Sequence, residues 1–152
     1  MVNRIALLLV AALLVPAVAD DKADAGKKEL DKLQGTWTAT TIEYNGEKVL
    51  GGGVKELTVV VEGDKLTVKG EDEEVKKYGK ATLTIDPSTT PKILDVSITS
   101  GDEKGTKFEA IYEVDKDEWK LCLKPFGKER PAKFESRADS GDVLIVFERE
   151  KK

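Results

Sequence analysis

Along most of the chain, apolar residues recur at every second position, which is the period of a β-strand with one buried face. A two-residue hairpin loop at 63–64 places Val61 opposite Leu66 and Val59 opposite Val68. Both apolar sets then share one face of the hairpin, as a half-buried sheet requires. We therefore predict an antiparallel hairpin at this point of the chain.

A second hairpin is predicted across residues 115–118. Pairing Val114 with Trp119 puts Tyr112 opposite Leu121 on the apolar face. On the other face the same register sets an acidic residue opposite a basic one. A helix would not reproduce this agreement on both faces, so the segment is interpreted as two paired strands.

Eight segments follow this pattern, with no long helical pattern between them. They are 36–44, 57–62, 65–69, 81–85, 94–98, 108–114, 119–123 and 143–147. Their spacing is typical of an antiparallel barrel or sandwich. We predict an all-β, eight-stranded antiparallel barrel with a short N-terminal helix. A β-sandwich is the alternative, because both folds show the same alternation.

The first nineteen residues have the pattern of a secretory signal peptide. Arg4 supplies the positive start, residues 5–15 are apolar, and Ala17-Val18-Ala19 provides the small residues that signal peptidase requires. The apolar run is shorter than the ~20 residues of a spanning helix. We expect cleavage after Ala19, export to the periplasm or the extracellular space, and no stable membrane anchor afterwards.

Beyond the signal peptide we predict one domain. Residues 20–32 form a polar leader with a short helix that Gly35 ends, and residues 33–152 form a single β-barrel domain. This length is enough to bury one core.

Composition excludes several classes of function. The 25 basic residues are outnumbered by 29 acidic ones, which argues against a nucleic-acid partner. Histidine is absent, so the commonest general base, the Ser-His and Cys-His pairs and the usual zinc ligands are all missing. We expect a protein that is not an enzyme and has no metal and no cofactor.

Cys122 is the single cysteine, so no internal disulfide can form. Lys120 and Lys124 lie on the same strand face and could lower its pKa and make it reactive. Alternatively, Cys122 is a small residue buried under a covering segment. The sequence leaves its reactivity open.

Other polar motifs predict local structure only. The acidic run 71–74 lacks the alternating oxygen ligands of a calcium loop, so we interpret it as a solvated hairpin tip. Residues 51–53 are three glycines without the lysine of a phosphate loop, and we interpret them as a flexible connection.

Several motifs resemble a small-domain family common in exported planctomycete proteins. They are Leu33-Gln34-Gly35-Thr36-Trp37, the stretch 111–115, the run from Leu121 to Phe134, and the close at 140–149. The run Leu-x-Leu-Cys, then Arg-Pro, then Phe is the most specific part. The family has no assigned activity, so the resemblance implies a domain type.

The chain is also distantly similar to lipocalin-like barrels. In these a Gly-x-Trp opens the first strand, and an arginine near the end of the last strand packs on the tryptophan. Gly35, Trp37 and Arg149 stand at the matching positions. In a closed barrel with an even number of strands, the last strand runs antiparallel beside the first. We therefore expect Arg149 to lie over Trp37. The predicted role of Gly35, Trp37 and Arg149 is structural.

The interior of the barrel is one candidate functional surface. Phe108, Tyr112 and Trp119 cluster on adjacent strands and are the predicted lining of a ligand cavity. An eight-stranded barrel holds one small ligand or is filled by its own side chains. Both interpretations stay open at this point.

The long connection 125–141 is the other candidate surface. Phe126, Arg130 and Phe134 have the composition of a protein-interaction loop. The same loop could instead cover Leu144 and Val146, which need burial on the outer face of the last strand.

The predicted function is non-enzymatic binding of a small apolar molecule in the barrel. The first alternative is a structural or protein-interaction module of the cell envelope with a filled core. The second is an enzyme of unknown type. The expected partner is a small hydrophobic molecule or an envelope protein, with no nucleic acid. The identity of ligand and partner and the oligomeric state are left open by the sequence.

Overall fold

The computed structural model describes residues 18–52, 54–125 and 129–151, with side chains from residue 23 onward. The predicted signal peptide at 1–19 therefore lies almost wholly outside the described residues. Two helices and nine strands are found within the described ranges. In chain order they are α1 (Val18–Leu33), β1 (Gly35–Tyr44), β2 (Glu47–Lys48), β3 (Thr58–Glu62), β4 (Lys65–Lys69), α2 (Glu73–Lys76), β5 (Lys80–Asp86), β6 (Lys92–Ile98), β7 (Lys107–Val114), β8 (Glu118–Leu123) and β9 (Val143–Arg149).

Eight of these strands form a closed antiparallel barrel. From β3 to β9 each strand pairs with the next, β1 pairs with β3, and β9 returns to pair with β1. The closing register runs from Trp37 opposite Arg149 to Tyr44 opposite Val143. This pairing confirms the predicted barrel and excludes the sandwich, which would leave β1 and β9 unpaired with each other. The two-residue β2 pairs only with the end of β1.

Both predicted hairpins are confirmed with their registers. Val61 pairs with Leu66 and Val59 with Val68 across the turn between β3 and β4. Val114 pairs with Trp119 and Tyr112 with Leu121 across the turn between β7 and β8. One face of each hairpin therefore points into the barrel, and the other points outward.

Aromatic side chains fill one part of the barrel interior. The Trp119 ring stacks on Phe147 with 5.0 Å between centroids and meets Trp37 edge-on at 5.8 Å. Trp37, Trp119 and Phe147 are all at most 2% exposed. Such rings bury large apolar areas, so this cluster is a main source of the barrel's stability.

Helix α1 covers the end of the barrel where β1 begins, which is called the closed end below. Its buried positions are Gly26, Glu29 and Leu33, and the half-buried Leu30 lies beside them on the same helical face. The short N-terminal helix expected from the sequence is confirmed, and it spans Val18–Leu33. In the described part of the chain, neither helix is long and apolar enough to cross a membrane.

The acidic run at 71–74 contributes to a one-turn helix, α2, instead of forming a plain hairpin tip. Val75 in this helix is buried, while the Glu73 and Glu74 side chains stay exposed. The Asp72 carboxylate accepts a hydrogen bond from the backbone N–H of Lys55 at 2.8 Å. This turn therefore ties the β4–β5 connection to the loop before β3, at the end opposite α1.

Candidate functional site

The barrel encloses an apolar cavity of about 210 Å³. Strands β3, β4 and β6 to β9 and the loops at the end opposite α1 contribute its walls. The lining residues are Leu57, Val59, Leu66, Val68, Tyr78, Val96, Ile98, Phe108, Trp119, Leu121, Leu123, Pro125, Val143, Ile145 and Phe147. The interior is therefore not fully packed by its own side chains.

The cavity has a buried floor and a half-buried mouth. Trp119 and Phe147, which form the floor, are 0% and 2% exposed. At the other end, Leu57, Leu123 and Val143 are only half-buried. The mouth therefore lies at the end of the barrel away from α1, which is called the open end below.

Polar groups are scarce along these walls. Among the lining residues that the structure describes, none carries a charge at neutral pH, and the only polar side-chain groups are the Tyr78 hydroxyl and the Trp119 indole N–H. The Tyr78 ring packs edge-on against Phe108 with 5.9 Å between centroids. Burial, followed by the negative charge of Glu103, raises the pKa of Tyr78. The hydroxyl therefore stays neutral, and the site offers burial of apolar surface in place of ionic recognition.

Two of the three predicted cavity residues lie in this lining. Phe108 stands near the mouth and Trp119 at the floor. Tyr112 is 1% exposed but does not line the cavity. It points into the closed end, where its hydroxyl donates a hydrogen bond to the Glu29 carboxylate at 3.0 Å. Its role is therefore to join the barrel to α1.

Glu29 is a buried carboxylate that the sequence analysis did not single out. It is 6% exposed. Besides the Tyr112 hydroxyl it contacts the Lys32 Nζ at 2.5 Å and the Lys92 Nζ at 3.2 Å. Burial by itself raises the pKa of Glu29, but the hydrogen bonds from Lys32, Lys92 and Tyr112 outweigh it and hold the pKa below its ordinary value.

The same contacts act on Tyr112 in the opposite direction. Burial raises the pKa of the Tyr112 hydroxyl, and the negative charge of Glu29 raises it further. The hydroxyl therefore remains a hydrogen-bond donor at any ordinary pH. A sequence signal for Glu29 exists in retrospect, because it shares the buried helical face of Gly26 and Leu33.

The three residues predicted to be structural meet at the closed end. The Cζ atom of Arg149 lies 4.2 Å from the centroid of the Trp37 ring. Gly35 has a φ of +116°, and a Cβ atom there would lie 3.2 Å from Nη1 of Arg149. Only glycine suits this position, because its backbone conformation and the adjacent guanidinium both disfavour a side chain.

The long connection before β9 packs against the outside of the barrel. Arg130 donates hydrogen bonds to the Ala110 carbonyl at 2.7 Å and to the Asp95 carboxylate at 2.8 Å. Phe134 is half-buried. Phe126, the third residue of the predicted interaction loop, lies outside the described residues. Arg130 therefore anchors the segment, and the interaction loop stays a prediction.

Cys122 lies beneath this segment and is 0% exposed. Its Sγ donates a weak hydrogen bond to the Glu135 carbonyl at 3.7 Å. Burial raises the pKa of the Cys122 thiol to about 11, even though the hydrogen bond to Glu135 opposes the shift. This environment agrees with the buried alternative for Cys122, because a reactive thiol needs a lowered pKa and exposure.

No cluster of three or more histidine, cysteine, aspartate or glutamate side chains suited to a metal ion occurs among the described residues. The fold and the cavity together define a small β-barrel protein with an apolar interior.

No protein-family model matches the sequence, and no curated protein is significantly similar to it. The chain is similar in structure to a point mutant of the fluorescent protein UnaG. That match has a TM-score of 0.43, 12% identity, and coverage of 81% of this chain and 99% of the other. It is also similar to a DUF4909 family protein from Staphylococcus aureus, with a TM-score of 0.39, 11% identity, and coverage of 75% and 95%. The resemblance to a planctomycete family stays a prediction.

Proposed function

We propose that this protein is a non-enzymatic binding protein that holds one small apolar molecule inside its barrel. The observation that carries the proposal is the cavity of about 210 Å³, with its floor at Trp119 and Phe147 and its mouth at the open end. Water gains little from such a lining, because it finds few hydrogen-bond partners there. An apolar molecule gives up no hydrogen bonds by entering and gains contact with the walls.

The volume limits the ligand. A cavity of ~150 Å³ accommodates benzene, whereas pockets for drug-sized ligands measure ~300–1,000 Å³. The present cavity lies between these values. The ligand is therefore a molecule with one or two rings or a short chain, and a long-chain lipid would not fit without opening the barrel.

We also propose that the protein is not an enzyme. The single titratable group in the described lining is the Tyr78 hydroxyl, whose pKa is raised by burial. One neutral phenol does not make an acid–base pair. Export is also proposed, on the signal-peptide pattern of residues 1–19. The protein would then bind its ligand in the periplasm or outside the cell.

The test is an NMR titration of residues 20–152 with three probes of increasing size, namely benzene, naphthalene and palmitate. We expect benzene and naphthalene to shift the amide resonances of the cavity strands, and palmitate to leave them unchanged. Val96→Phe places a larger side chain in the cavity and should weaken binding at least tenfold. Val60→Phe is the matched control, because Val60 lies on the outward face of β3.

Binding of no probe by the folded protein would overturn the proposal and favour the alternative of a filled structural or interaction module. Undiminished binding by a folded Val96→Phe variant would also contradict it, because the ligand would then lie elsewhere.

A further inference from the structure

The barrel fixes the size of the cavity on every side except at the open end. Most of its lining residues lie on strands that pair with a neighbour on both sides, so strand pairing sets the width of the cavity. The floor is fixed as well, because Trp119 stacks on Phe147 and meets Trp37, over which Arg149 lies. A ligand that outgrows the cavity can therefore extend only toward the open end.

Tyr78 forms part of the boundary at the open end. Among the described lining residues that are half-buried, it has the largest side chain. It lies on the connection between β4 and β5, and its ring packs edge-on against Phe108 with 5.9 Å between centroids. Because Tyr78 lines the cavity and is also partly exposed, its side chain separates the cavity from the solvent.

The connection that carries Tyr78 is attached to a neighbouring loop on each side. The Asp72 carboxylate accepts a hydrogen bond from the backbone N–H of Lys55 at 2.8 Å, in the loop before β3. The Lys77 carbonyl accepts one from the backbone N–H of Glu103 at 3.1 Å, in the loop between β6 and β7. These bonds hold the residues next to Tyr78 in place over the open end.

Close packing restricts this connection further. Val75 is only 5% exposed. A Cβ atom at Gly70 would lie 2.6 Å from Cγ1 of Val75 and 2.9 Å from the Glu56 carbonyl oxygen, so only glycine allows this approach. The Tyr78 ring is therefore held in one position, as a wall that limits ligand size requires.

We propose that Tyr78 is the residue that sets the largest ligand that the cavity accepts. This inference rests on the proposed binding function and adds the specificity of the same site. Apolar molecules with one or two rings fit beneath the Tyr78 side chain, whereas a third ring collides with it. Shortening this side chain extends the cavity toward the open end and admits larger apolar molecules.

Two uncharged aromatic probes that differ by one ring test the limit. Naphthalene has two rings, and N-phenyl-1-naphthylamine carries a third. The wild-type protein should bind naphthalene. Tyr78→Ala should bind N-phenyl-1-naphthylamine at least about tenfold more tightly than wild type does, as expected when an apolar group gains a fitting pocket. NMR titration with naphthalene and the fluorescence of N-phenyl-1-naphthylamine give the dissociation constants.

Three further variants identify the cause of any gain. Tyr78→Phe keeps the ring and should keep the wild-type limit, because the size of the side chain and not its hydroxyl sets it. Tyr78→Leu is a milder truncation, which serves if Tyr78→Ala does not fold, and its affinity for the three-ring probe should lie between those of Tyr78→Ala and wild type. Tyr44→Ala is the matched control, because Tyr44 is half-buried and lies outside the cavity lining. It should leave both dissociation constants unchanged.

The outcomes separate this inference from the proposed function. If wild type binds naphthalene but the folded Tyr78→Ala and Tyr78→Leu variants bind the three-ring probe no better than wild type, the inference is overturned and the proposed function stands. An equal gain in Tyr44→Ala or in Tyr78→Phe overturns the inference too, because the gain would not come from the space that the Tyr78 ring occupies. Absence of naphthalene binding by the wild-type protein overturns both proposals.

Discussion

The guanidinium of Arg149 lies over the indole of Trp37, with Cζ 4.2 Å from the ring centroid. The same group donates hydrogen bonds to the Lys32 carbonyl at 2.6 Å, to the Gln34 carbonyl, and to the Lys116 carbonyl at 3.1 Å. Two of these acceptors lie at the C-terminal end of α1, where a cation is favourable. One side chain therefore connects α1, β1, the β7–β8 turn and β9.

Arg149→Ala should lower the free energy of unfolding by about 2–4 kcal/mol, because it removes the cation–π contact and the hydrogen bonds to three carbonyls. Arg149→Lys should recover less than half of this loss, since an ammonium group lacks the planar fork that reaches several acceptors. Urea unfolding followed by tryptophan fluorescence measures both values.

Lys151→Ala is the control for Arg149. Lys151 is an exposed cation two residues further on, and its loss should change stability by less than about 0.5 kcal/mol. If Arg149→Ala proved as mild as this control, Arg149 would not hold the closed end together.

The buried carboxylate of Glu29 should make part of the stability depend on pH. Its pKa in the folded protein lies below the ordinary value of 4.5. The charged form therefore stabilises the fold above that value, and this contribution is lost as the pH falls through the lower folded-state pKa. Glu29→Gln should cost about 1–3 kcal/mol at pH 7, and the gap from wild type should close below about pH 4.5.

Urea unfolding of both proteins between pH 7 and pH 3 measures this gap. Glu74→Gln is the control, because Glu74 pairs with Lys77 at 2.9 Å on the surface with its side chain 69% exposed. That variant should stay within about 0.5 kcal/mol of wild type at every pH. A gap for Glu29→Gln that is constant down to pH 3 would contradict the assignment.

The Cys122 thiol should be almost inert in the native protein. It is fully buried, and its pKa is raised to about 11 from an ordinary 9.0, chiefly by burial. At pH 8 a disulfide reagent should label it at least about a hundredfold more slowly than in the urea-unfolded chain, because reaction requires an exposed thiolate. Equal rates in the two states would show that Cys122 is accessible.

Arg130→Ala should loosen the segment that covers Cys122. The change removes hydrogen bonds to the Ala110 carbonyl and to Asp95, while Asp95 keeps Lys107 at 3.3 Å. The loss is about 1–3 kcal/mol. It should speed native labelling of Cys122 by about tenfold or more if the cover opens locally.

Lys133→Ala, at an exposed position of the same segment, is the matched control and should not change the labelling rate. Labelling of Arg130→Ala at the wild-type rate would show that Arg130 does not hold the cover in place.

The strand pairing and the Arg149–Trp37 contact at the closed end could be predicted from the sequence, because both depend on the alternation of residues within single strands. The registers of two hairpins come from alternation on both sides of a short turn. The contact between Arg149 and Trp37 follows from two facts. Arg149 lies on the inward face of β9, an even number of residues from Phe147, and β9 pairs with β1 in a closed barrel with an even number of strands. These features need only the order of residues within each strand.

The remaining features depend on distances that no local pattern encodes. Glu29 meets Tyr112 across 83 positions of sequence, and nothing near either residue indicates the partner. The two-residue β2 is too short to show alternation. The cavity is a difference between the volume of the barrel and the volume of its side chains. Alternation along a strand predicts that Phe108, Trp119 and Tyr112 all face inward, but it does not predict where empty space remains. Phe108 and Trp119 line the cavity, and Tyr112 does not.

The pairing of β1 with β9 has a practical consequence for handling the protein. The barrel chain begins at Gly35 and ends at Arg149, and both positions lie at the end covered by α1. The mouth of the cavity lies at the opposite end. A tether or a fusion partner attached after Arg149 would therefore project away from the mouth. A surface or sensor coated with this protein through its C-terminal side would present every cavity to the solution.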